Sequence, residues 1–409
     1  MQRAPLACVL ATLAATAACD IDAPVAPVAA SQQATPTLLI TSLATVLGKT
    51  VVDEPGEVGE YASLASSSDG TQRIAYRDKT NHRLKYAGCA SSCRLAANWQ
   101  TGVIDQSADV GEYASLRVKS GVRHVVYYDR TNRDLKYAVC SAECYIHSNW
   151  RKGAIAQTGF VGQSASLAID GAGRLHVSYV DEGLGTLKYA TCSSDCTLTR
   201  KWQRITADAS TIVLATGRTS LAISADGRRH ISYASVGGLR YASCLAACID
   251  VANWQRLTVN ASGVEGRHSS LAVDGAGVRH ISYLDQNKRD LKYARCAGDC
   301  TNSAGWKRVL ADSGTSSDGD VGAYTSLAVG SDGKVHVSHV SAGGKLRYVS
   351  CASNCLQSAS WAPLVVDGGC TVIPCPAGLY TSLKLGGGNV HISYQTFTSR
   401  DLKYAELTP

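Results

Sequence analysis

Cysteine pairs at one fixed spacing are the residues whose type and pattern most directly suggest chemistry in this chain. Six Cys-x-x-x-Cys pairs occur among the 16 cysteines, and the second cysteine of each pair stands six residues before a tryptophan. Such pairs suggest zinc ligands in a cytosolic protein, whereas an exported chain favours local disulfides. We predict no metal and the following disulfides: Cys89 with Cys93, Cys140 with Cys144, Cys192 with Cys196, Cys244 with Cys248, Cys296 with Cys300, and Cys351 with Cys355.

The N-terminus indicates the compartment. A basic start, an apolar stretch and small residues before Cys19 are typical of a secretory signal that is too short to span a bilayer. Residues 1–18 are therefore predicted to be a signal peptide. Residues 19–38 are rich in Ala, Pro, Gln and Thr and are predicted to be a tether.

The one cysteine without an expected partner indicates how the mature chain begins. Cys8 lies in the signal, and Cys370 and Cys375 are expected to form a further disulfide, so Cys19 is the odd thiol. The sequence Thr-Ala-Ala-Cys that ends at Cys19 resembles a bacterial lipobox, although Thr16 replaces the usual Leu. We expect Cys19 to be lipidated and the protein to be anchored in the cell envelope or at the outer surface. Cleavage by ordinary signal peptidase and free secretion is the alternative.

Histidines recur at one position of a repeated unit, where a ring of imidazoles could bind metal or carry protons. Catalysis needs one asymmetric constellation, whereas a residue present in nearly every repeat serves the repeat. We therefore interpret these histidines as structural, with hydrogen bonds across a turn or to the next sheet. The members, with Arg73 in the first unit, are His124, His176, His230, His280, His336 and His391.

Basic residues recur at a second position and account for much of the formal net charge of +7. No basic run and no nucleic-acid motif accompanies them, so we predict no nucleic-acid partner. A ring of like charge could attract an anionic polymer, but we expect solvated strand residues that pair with nearby Asp. These are Lys85, Lys136, Lys188, Arg240, Lys292, Arg347 and Lys403.

Polar loops supply the candidate binding residues. In four units a strand ends in Tyr-x-Asp and a polar loop follows, and loops held by a rigid scaffold commonly carry function. The alternative interpretation is that each Asp only closes an Asx turn. The predicted ligand-binding residues are Asp78, Asn81, Asp129, Asn132, Asp181, Asp285 and Asn287.

The elements that must position these residues follow from the repeat. A leucine recurs every 50 to 56 residues, and each unit holds four short segments rich in β-formers and separated by turn residues. Four strands in a unit of this length are typical of a propeller blade. We therefore predict that residues 39–409 form an all-β, seven-bladed β-propeller. The recurring leucines are Leu64, Leu116, Leu167, Leu221, Leu271, Leu327 and Leu383.

The chain ends predict how the ring closes. The seventh unit stops after its third strand, near Glu406, and a strand-like segment at residues 43–53 precedes the first unit. A closed ring pairs its first and last strands and exposes no sheet edge between blades. The N-terminal strand is therefore expected to complete the last blade.

The unit Ser-Leu-Ala-x-Asp-x-x-Gly-x-x-His-Ile-Ser-Tyr at residues 270–283, followed by Leu-Lys-Tyr-Ala, resembles repeats of sialidase-like (BNR-type) propellers of exported bacterial proteins. Sialidases carry Asp-box turns between third and fourth strands, whereas the similar turns here lie between first and second strands and lack the Trp. The family's arginine triad, Tyr nucleophile and acid Asp have no evident counterparts. The resemblance therefore implies the fold, and function must be argued from the site.

These observations predict a monomeric cell-envelope lipoprotein that binds a glycan or an extracellular protein through loops on one face of the propeller. It is expected to need no cofactor and to contact the membrane only through its N-terminal lipid. The alternative is a sialidase-like glycoside hydrolase or polysaccharide lyase. No catalytic residue is assigned.

Overall fold

Seven four-stranded antiparallel sheets form the blades of one ring in the computed structural model, which describes residues 43–409 apart from 262–264, 317, 369–376 and 397–398. Blades 1 to 4 contain β2 (Val58–Ser66), β3 (Gln72–Asp78), β4 (Arg83–Cys89) and β5 (Gln100–Asp105); β6 (Val110–Lys119), β7 (Val122–Asp129), β8 (Asp134–Cys140) and β9 (Arg151–Ala156); β10 (Val161–Ile169), β11 (Leu175–Asp181), β12 (Thr186–Cys192) and β13 (Gln203–Asp208); and β14 (Thr219–Ile223), β15 (Arg229–Ser235), β16 (Gly238–Cys244) and β17 (Gln255–Asn260).

Blades 5 and 6 repeat the pattern, and blade 7 takes its outermost strand from the N-terminus. They contain β18 (Arg267–Val273), β19 (Arg279–Asp285), β20 (Asp290–Cys296) and β21 (Lys307–Asp312); β22 (Val321–Val329), β23 (Val335–Ser341), β24 (Leu346–Cys351) and β25 (Ala362–Asp367); and β26 (Ala377–Gly386), β27 (Asn389–Thr396), β28 (Leu402–Leu407) and β1 (Val46–Asp53). β1 pairs antiparallel with β28, with Thr50 opposite Tyr404. The seven-bladed propeller and its closure by the N-terminal strand are confirmed.

A serine in each innermost strand joins neighbouring blades. Its Oγ accepts the backbone N–H of the recurring leucine in the next blade, and the seven N···O distances are 2.9 to 3.0 Å. The last bond runs from Leu64 of blade 1 to Ser382 of blade 7, so the chain of bonds closes on itself. Each bond gives a buried amide the partner that it would otherwise lack.

Tryptophan packs each blade against the one before it. The six Trp rings lie against third-strand Tyr rings of the preceding blades at centroid distances of 4.9 to 5.9 Å. Each indole N–H also donates to the carbonyl of the cysteine six residues earlier. A single 3-10 turn leads into each Trp: Ala96–Asn98, His147–Asn149, Thr199–Lys201, Val251–Asn253, Ser303–Gly305 and Ser358–Ser360; a further one spans Ala215–Gly217.

The six predicted Cys-x-x-x-Cys disulfides are formed, with Cα–Cα distances of 5.7 to 5.9 Å. They indicate an exported protein, because disulfides persist in oxidising compartments. The expected Cys370–Cys375 bridge, the signal peptide, the tether and Cys19 lie outside the described residues. Among the residues that are described, no helix is long and apolar enough to cross a membrane.

The recurring histidines bond to tyrosine within their own blade. In six blades the His Nδ1 lies 2.5 to 2.7 Å from the hydroxyl of the third-strand Tyr. His176 and His280 also reach a turn Asp through Nε2, at 3.1 and 3.2 Å. Burial lowers the pKa of His176 to about 4 and that of His230 to about 3. These imidazoles are therefore neutral parts of the blade interior near pH 7.

The recurring basic residues pair with carboxylates and are more buried than expected. Six meet the Asp at the end of a preceding fourth strand, or an equivalent carboxylate, and Lys188 meets Asp181 of its own blade at 3.5 Å. Lys136 shows the pattern, since its Nζ lies 2.6 Å from Asp105, which also accepts the hydroxyl of Tyr127 at 2.7 Å. The expected pairing is confirmed, but six of these cations bridge blades, and all seven are largely buried.

Replacing Trp202 with Ala should lower the free energy of unfolding by roughly 3 to 5 kcal/mol, because a buried indole and its contact with Tyr137 are lost. Urea denaturation measures this. The neighbouring Gln203 is exposed and serves as the matched control, with an expected change under about 0.5 kcal/mol. Similar losses for both variants would contradict the packing role of the tryptophan.

Lowering the pH from 7 to 5 should destabilise the protein. A base whose pKa is lowered in the folded state binds more protons when unfolded, so stability falls as the pH drops through the unfolded-state value near 6.5. The loss is on the order of 1 kcal/mol for each buried imidazole. Melting curves of His176→Gln should show a smaller pH effect than wild type, and those of His82→Gln, which removes an exposed imidazole, should not. Equal pH effects in all three proteins would contradict this.

Candidate functional site

The loops between second and third strands share one face of the ring with the connections between blades. Backbone bonds of 2.8 Å join the two sets of loops, from Lys79 N–H to the Glu57 carbonyl and from Arg130 N–H to the Asp109 carbonyl. A further bond of 2.8 Å links the Val321 N–H of blade 6 to the Arg289 carbonyl of blade 5. We call this surface the loop face.

The four predicted Asp residues lie under the loop face and not on it. Asp78, Asp129, Asp181 and Asp285 end their strands and are 0 to 5% exposed. Each carboxylate accepts a backbone N–H three residues later, at 3.0 to 3.2 Å. Each Asp therefore closes a turn of the Asx type. These carboxylates hold the loops in shape.

The three predicted Asn residues are exposed on the same loops. The amides of Asn81 and Asn132 donate to the Asp of their own turn, at 2.9 to 3.1 Å. The backbone N–H of Asn287 likewise donates to Asp285 at 3.1 Å. Asn and Asp thus form one unit in the loops of blades 1, 2 and 5, with the Asn as the part that a ligand on this face could meet.

A ring of residues at one repeat position surrounds the central channel on the loop face. Each stands three residues before the recurring leucine with φ between 52 and 61°, at a bulge in the innermost strand of six blades and, for Arg218, directly before the strand. A bulge re-aims the side chain, and the contacts across blades place these side chains around the axis. We call them the mouth ring: Tyr61, Tyr113, Ser164, Arg218, His268, Tyr324 and Tyr380.

Aromatic contacts run along most of the mouth ring. Tyr61 lies 4.7 Å from Tyr113 and 4.5 Å from Tyr380, between ring centroids. Tyr324 continues the series, 4.8 Å from Tyr380 and 4.5 Å from His268. Arg218 reaches over Tyr324 and Tyr380, with its guanidinium carbon 5.6 and 6.0 Å from their centroids, which is a cation–π arrangement.

The mouth ring is built for contact and not for proton transfer near neutral pH. Burial raises the pKa of Tyr113 to about 12, so the phenol stays protonated. Burial, with the charges of Arg218 and Arg267, lowers the pKa of His268 to about 3. A phenolate nucleophile and an imidazolium acid are therefore both disfavoured.

A pocket opens beside the mouth ring between blades 5, 6 and 7, with a volume of ≈ 580 Å³. Leu284, Val321, Val340 and Leu379 form its apolar part, and Tyr324 of the mouth ring forms one side. We call it the blade 5–6 pocket.

Polar groups stand at the edge of the blade 5–6 pocket. Gln286 comes from the loop of blade 5, next to the predicted residue Asn287. Arg289 and Asp320 form an ion pair of 3.2 Å and remain 68% and 45% exposed. Such exposed pairs add little stability, so their hydrogen-bonding groups can be used by a ligand at small cost.

The carboxylates on the loop face near blades 1 and 2 are tied to one buried arginine. Arg77 is 3% exposed and contacts Glu60 at 2.8 Å, Asp109 at 2.8 Å and Glu112 at 3.2 Å. Asp109 and Glu112 belong to the next blade, so this cluster joins blades. Within the described ranges, no group of three or more His, Cys, Asp or Glu residues could hold a metal ion.

Sequence reasoning missed the mouth ring and the blade 5–6 pocket. The available signal was variation, because the position before Ala-Ser-Leu or its equivalent reads Tyr, Tyr, Ser, Arg, His, Tyr and Tyr while its neighbours repeat. In a repeat protein, packing determines the residue types that are the same in every repeat. A position that varies beside them is one where packing does not determine the residue type. The pocket had no signal, because its residues come from three blades.

No protein-family model matches the chain, and no curated protein matches it. Several solved structures share its fold. Hydrazine synthase of Kuenenia stuttgartiensis is 11% identical, with a TM-score of 0.53 over 87% of this chain and 97% of that chain. A Dyadobacter fermentans protein of unknown function is 9% identical, with a TM-score of 0.52 over 90% and 99%. The Hadza microbial sialidase Hz136 is 12% identical, with a TM-score of 0.51 over 83% and 74%. At these identities the chain is similar to them in its propeller fold alone.

Proposed function

We propose that this protein is an exported glycan-binding protein that holds its ligand on the loop face, in the blade 5–6 pocket and against the mouth ring. The observation that carries the proposal is the combination of one aromatic ring, Tyr324, with Gln286, Arg289 and Asp320 around a single pocket. Small-ligand sites are mostly apolar concavities of about 300 to 1,000 Å³ with a few placed polar groups. Sugars match this surface, since a pyranose has an apolar face and a rim of hydroxyls.

The loops of the other blades extend the proposed surface. Asp78, Asp129 and Asp181 brace their loops from below, and Asn81 and Asn132 are presented to solvent. A chain of sugars that crosses the loop face could meet these amides after one residue is held in the pocket. The resemblance in fold to a sialidase is compatible with a carbohydrate ligand.

We further propose that the protein works at the cell envelope as a monomer, anchored through lipid on Cys19 and the tether of residues 19–38. β1 begins at Val46 on the face opposite the loop face, because its other end, at Asp53, leads to the connection into blade 1. The first strand of the ring therefore starts away from the proposed ligand surface.

Binding should depend on Arg289. On a glycan array, wild-type protein is expected to bind a restricted set of glycans, and Arg289→Ala should weaken binding to the best of them by at least about tenfold, because hydrogen bonds to a charged group contribute about 1.5 to 3 kcal/mol. Titration calorimetry with that glycan measures the loss. Thermal unfolding should be nearly unchanged, since Arg289 is exposed.

Arg133→Ala is the matched control. Arg133 occupies the same loop position in blade 2, also with positive φ, but its guanidinium lies over Phe160 at 4.2 Å and lines no part of the blade 5–6 pocket. It should bind glycan as wild type does. Equal losses for the two variants, or wild-type binding by Arg289→Ala, would overturn the proposed site.

The same array separates binding from the hydrolase or lyase alternative. Each glycan that binds is incubated with the protein, and its products are examined by mass spectrometry. A binding protein returns the glycan intact, whereas cleavage would replace the binding proposal with an enzymatic function.

A further inference from the structure

Two cations break the repeat deep in the central channel. The residue that follows the recurring leucine is Ala in five blades, at Ala65, Ala168, Ala222, Ala272 and Ala328. Blade 2 carries Arg117 at this position and blade 7 carries Lys384, on either side of blade 1. Alanine is sufficient for packing at this position in five blades. Packing therefore does not explain the two long basic side chains.

Both cations line a cavity in the channel below the mouth ring, with a volume of about 110 Å³. A water molecule needs roughly 10 to 15 Å³ of such volume, so this cavity has room for several waters or for one small polyatomic ion. Tyr113 and Arg218 of the mouth ring bound its upper end. Arg117 and Lys384 are half-buried.

Hydroxyl groups form much of the rest of the wall. The cavity is lined by the serines that accept the leucine N–H bonds, including Ser63, Ser115 and Ser382. Each Oγ acts as acceptor in that bond, and none of these three hydroxyls donates elsewhere in the described hydrogen bonds, so their O–H groups are free to donate into the channel. No Asp or Glu stands among the described residues that line the cavity.

The charges in this cavity are uncompensated. Among the described residues, neither Arg117 nor Lys384 forms an ion pair, and the guanidinium of Arg117 donates to the Leu116 carbonyl at 2.8 Å. Burial lowers the pKa of Lys384 to about 7, and the charge of Arg117 adds to that effect. By contrast, all seven third-strand cations have carboxylate partners. Like charges in a half-buried cavity, which Arg218 also lines at its upper end, are costly unless an anion joins them.

We propose that the central channel binds a small inorganic oxyanion, of the phosphate or sulfate class, between Arg117 and Lys384. A tetrahedral oxyanion accepts several hydrogen bonds at once, which suits two cations and a wall of hydroxyl donors better than a monatomic ion does. The site lies below the mouth ring and is separate from the blade 5–6 pocket. It therefore does not depend on glycan binding.

Titration calorimetry of the full chain with inorganic phosphate, at constant ionic strength set by potassium chloride, tests the proposal. Wild-type protein should show saturable binding of one phosphate, and sulfate should compete. Arg117→Ala and Lys384→Ala should each weaken binding by at least about tenfold. Absence of saturable binding in wild type, or wild-type affinity in both variants, would overturn the proposal.

Arg151→Ala and Lys307→Ala are the charge-matched controls. Both residues are exposed and begin outermost strands, β9 and β21, far from the channel in their sheets. They should bind phosphate as wild type does. A comparable loss of phosphate affinity in these controls would mean that binding depends only on the net charge of the protein, which would contradict the proposed site.

Melting temperatures in buffer without phosphate or sulfate provide a second, independent measurement. Removing one of two unpaired cations relieves repulsion, so Arg117→Ala and Lys384→Ala should melt at or above the wild-type temperature. Added phosphate should then raise the wild-type melting temperature more than theirs. Variants that melt well below wild type without anion would show that the cations serve the fold, and the proposal would fail.

Discussion

The hydrogen bond from each leucine amide to the serine of the preceding blade is the constraint on which the rest of the structure depends. It fixes the distance between neighbouring innermost strands, and seven such bonds must close in a circle. A propeller blade cannot cover its own apolar faces, so it is stable only when it is packed between neighbours. The serine bonds set that packing at the axis, and the Trp–Tyr contacts set it farther out.

Because serine and leucine are fixed, only the positions beside them along the innermost strand are free to vary. Three residues before the leucine, the side chains form the mouth ring, and one residue after it the long side chains of Arg117 and Lys384 reach the lower cavity. The same scaffold therefore presents two different surfaces to the channel. The mouth is aromatic and neutral apart from Arg218, whereas the lower cavity has two cations and hydroxyl groups.

Much of the fold was predictable from the sequence because its determinants are local and repeated. The spacing from cysteine to tryptophan, the four β-rich segments and the missing strand of the seventh unit predicted the disulfides, the blades and the closure. The loop Asp residues were harder to interpret, because Asp in a polar loop suggests exposure. Asp129 instead turns back beneath its loop, where the N–H of Asn132 needs an acceptor. The blade 5–6 pocket was not predictable. Blades 5, 6 and 7 each supply part of it, and no local sequence pattern indicates that these residues lie close together.

The charged and titratable groups fall into two classes: those that stabilise the repeated contacts of the blades and those that do not. Most cations that serve the fold are paired across blades, as Lys136 is with Asp105, and the histidines, which bond to tyrosine, are held neutral by burial. Such groups recur because every blade makes equivalent contacts with the blade next to it. A group such as Lys384, which only one blade has at its repeat position, makes no contact that the other blades repeat. In a ring of nearly equal blades, a ligand that lacks sevenfold symmetry is recognised by such exceptions.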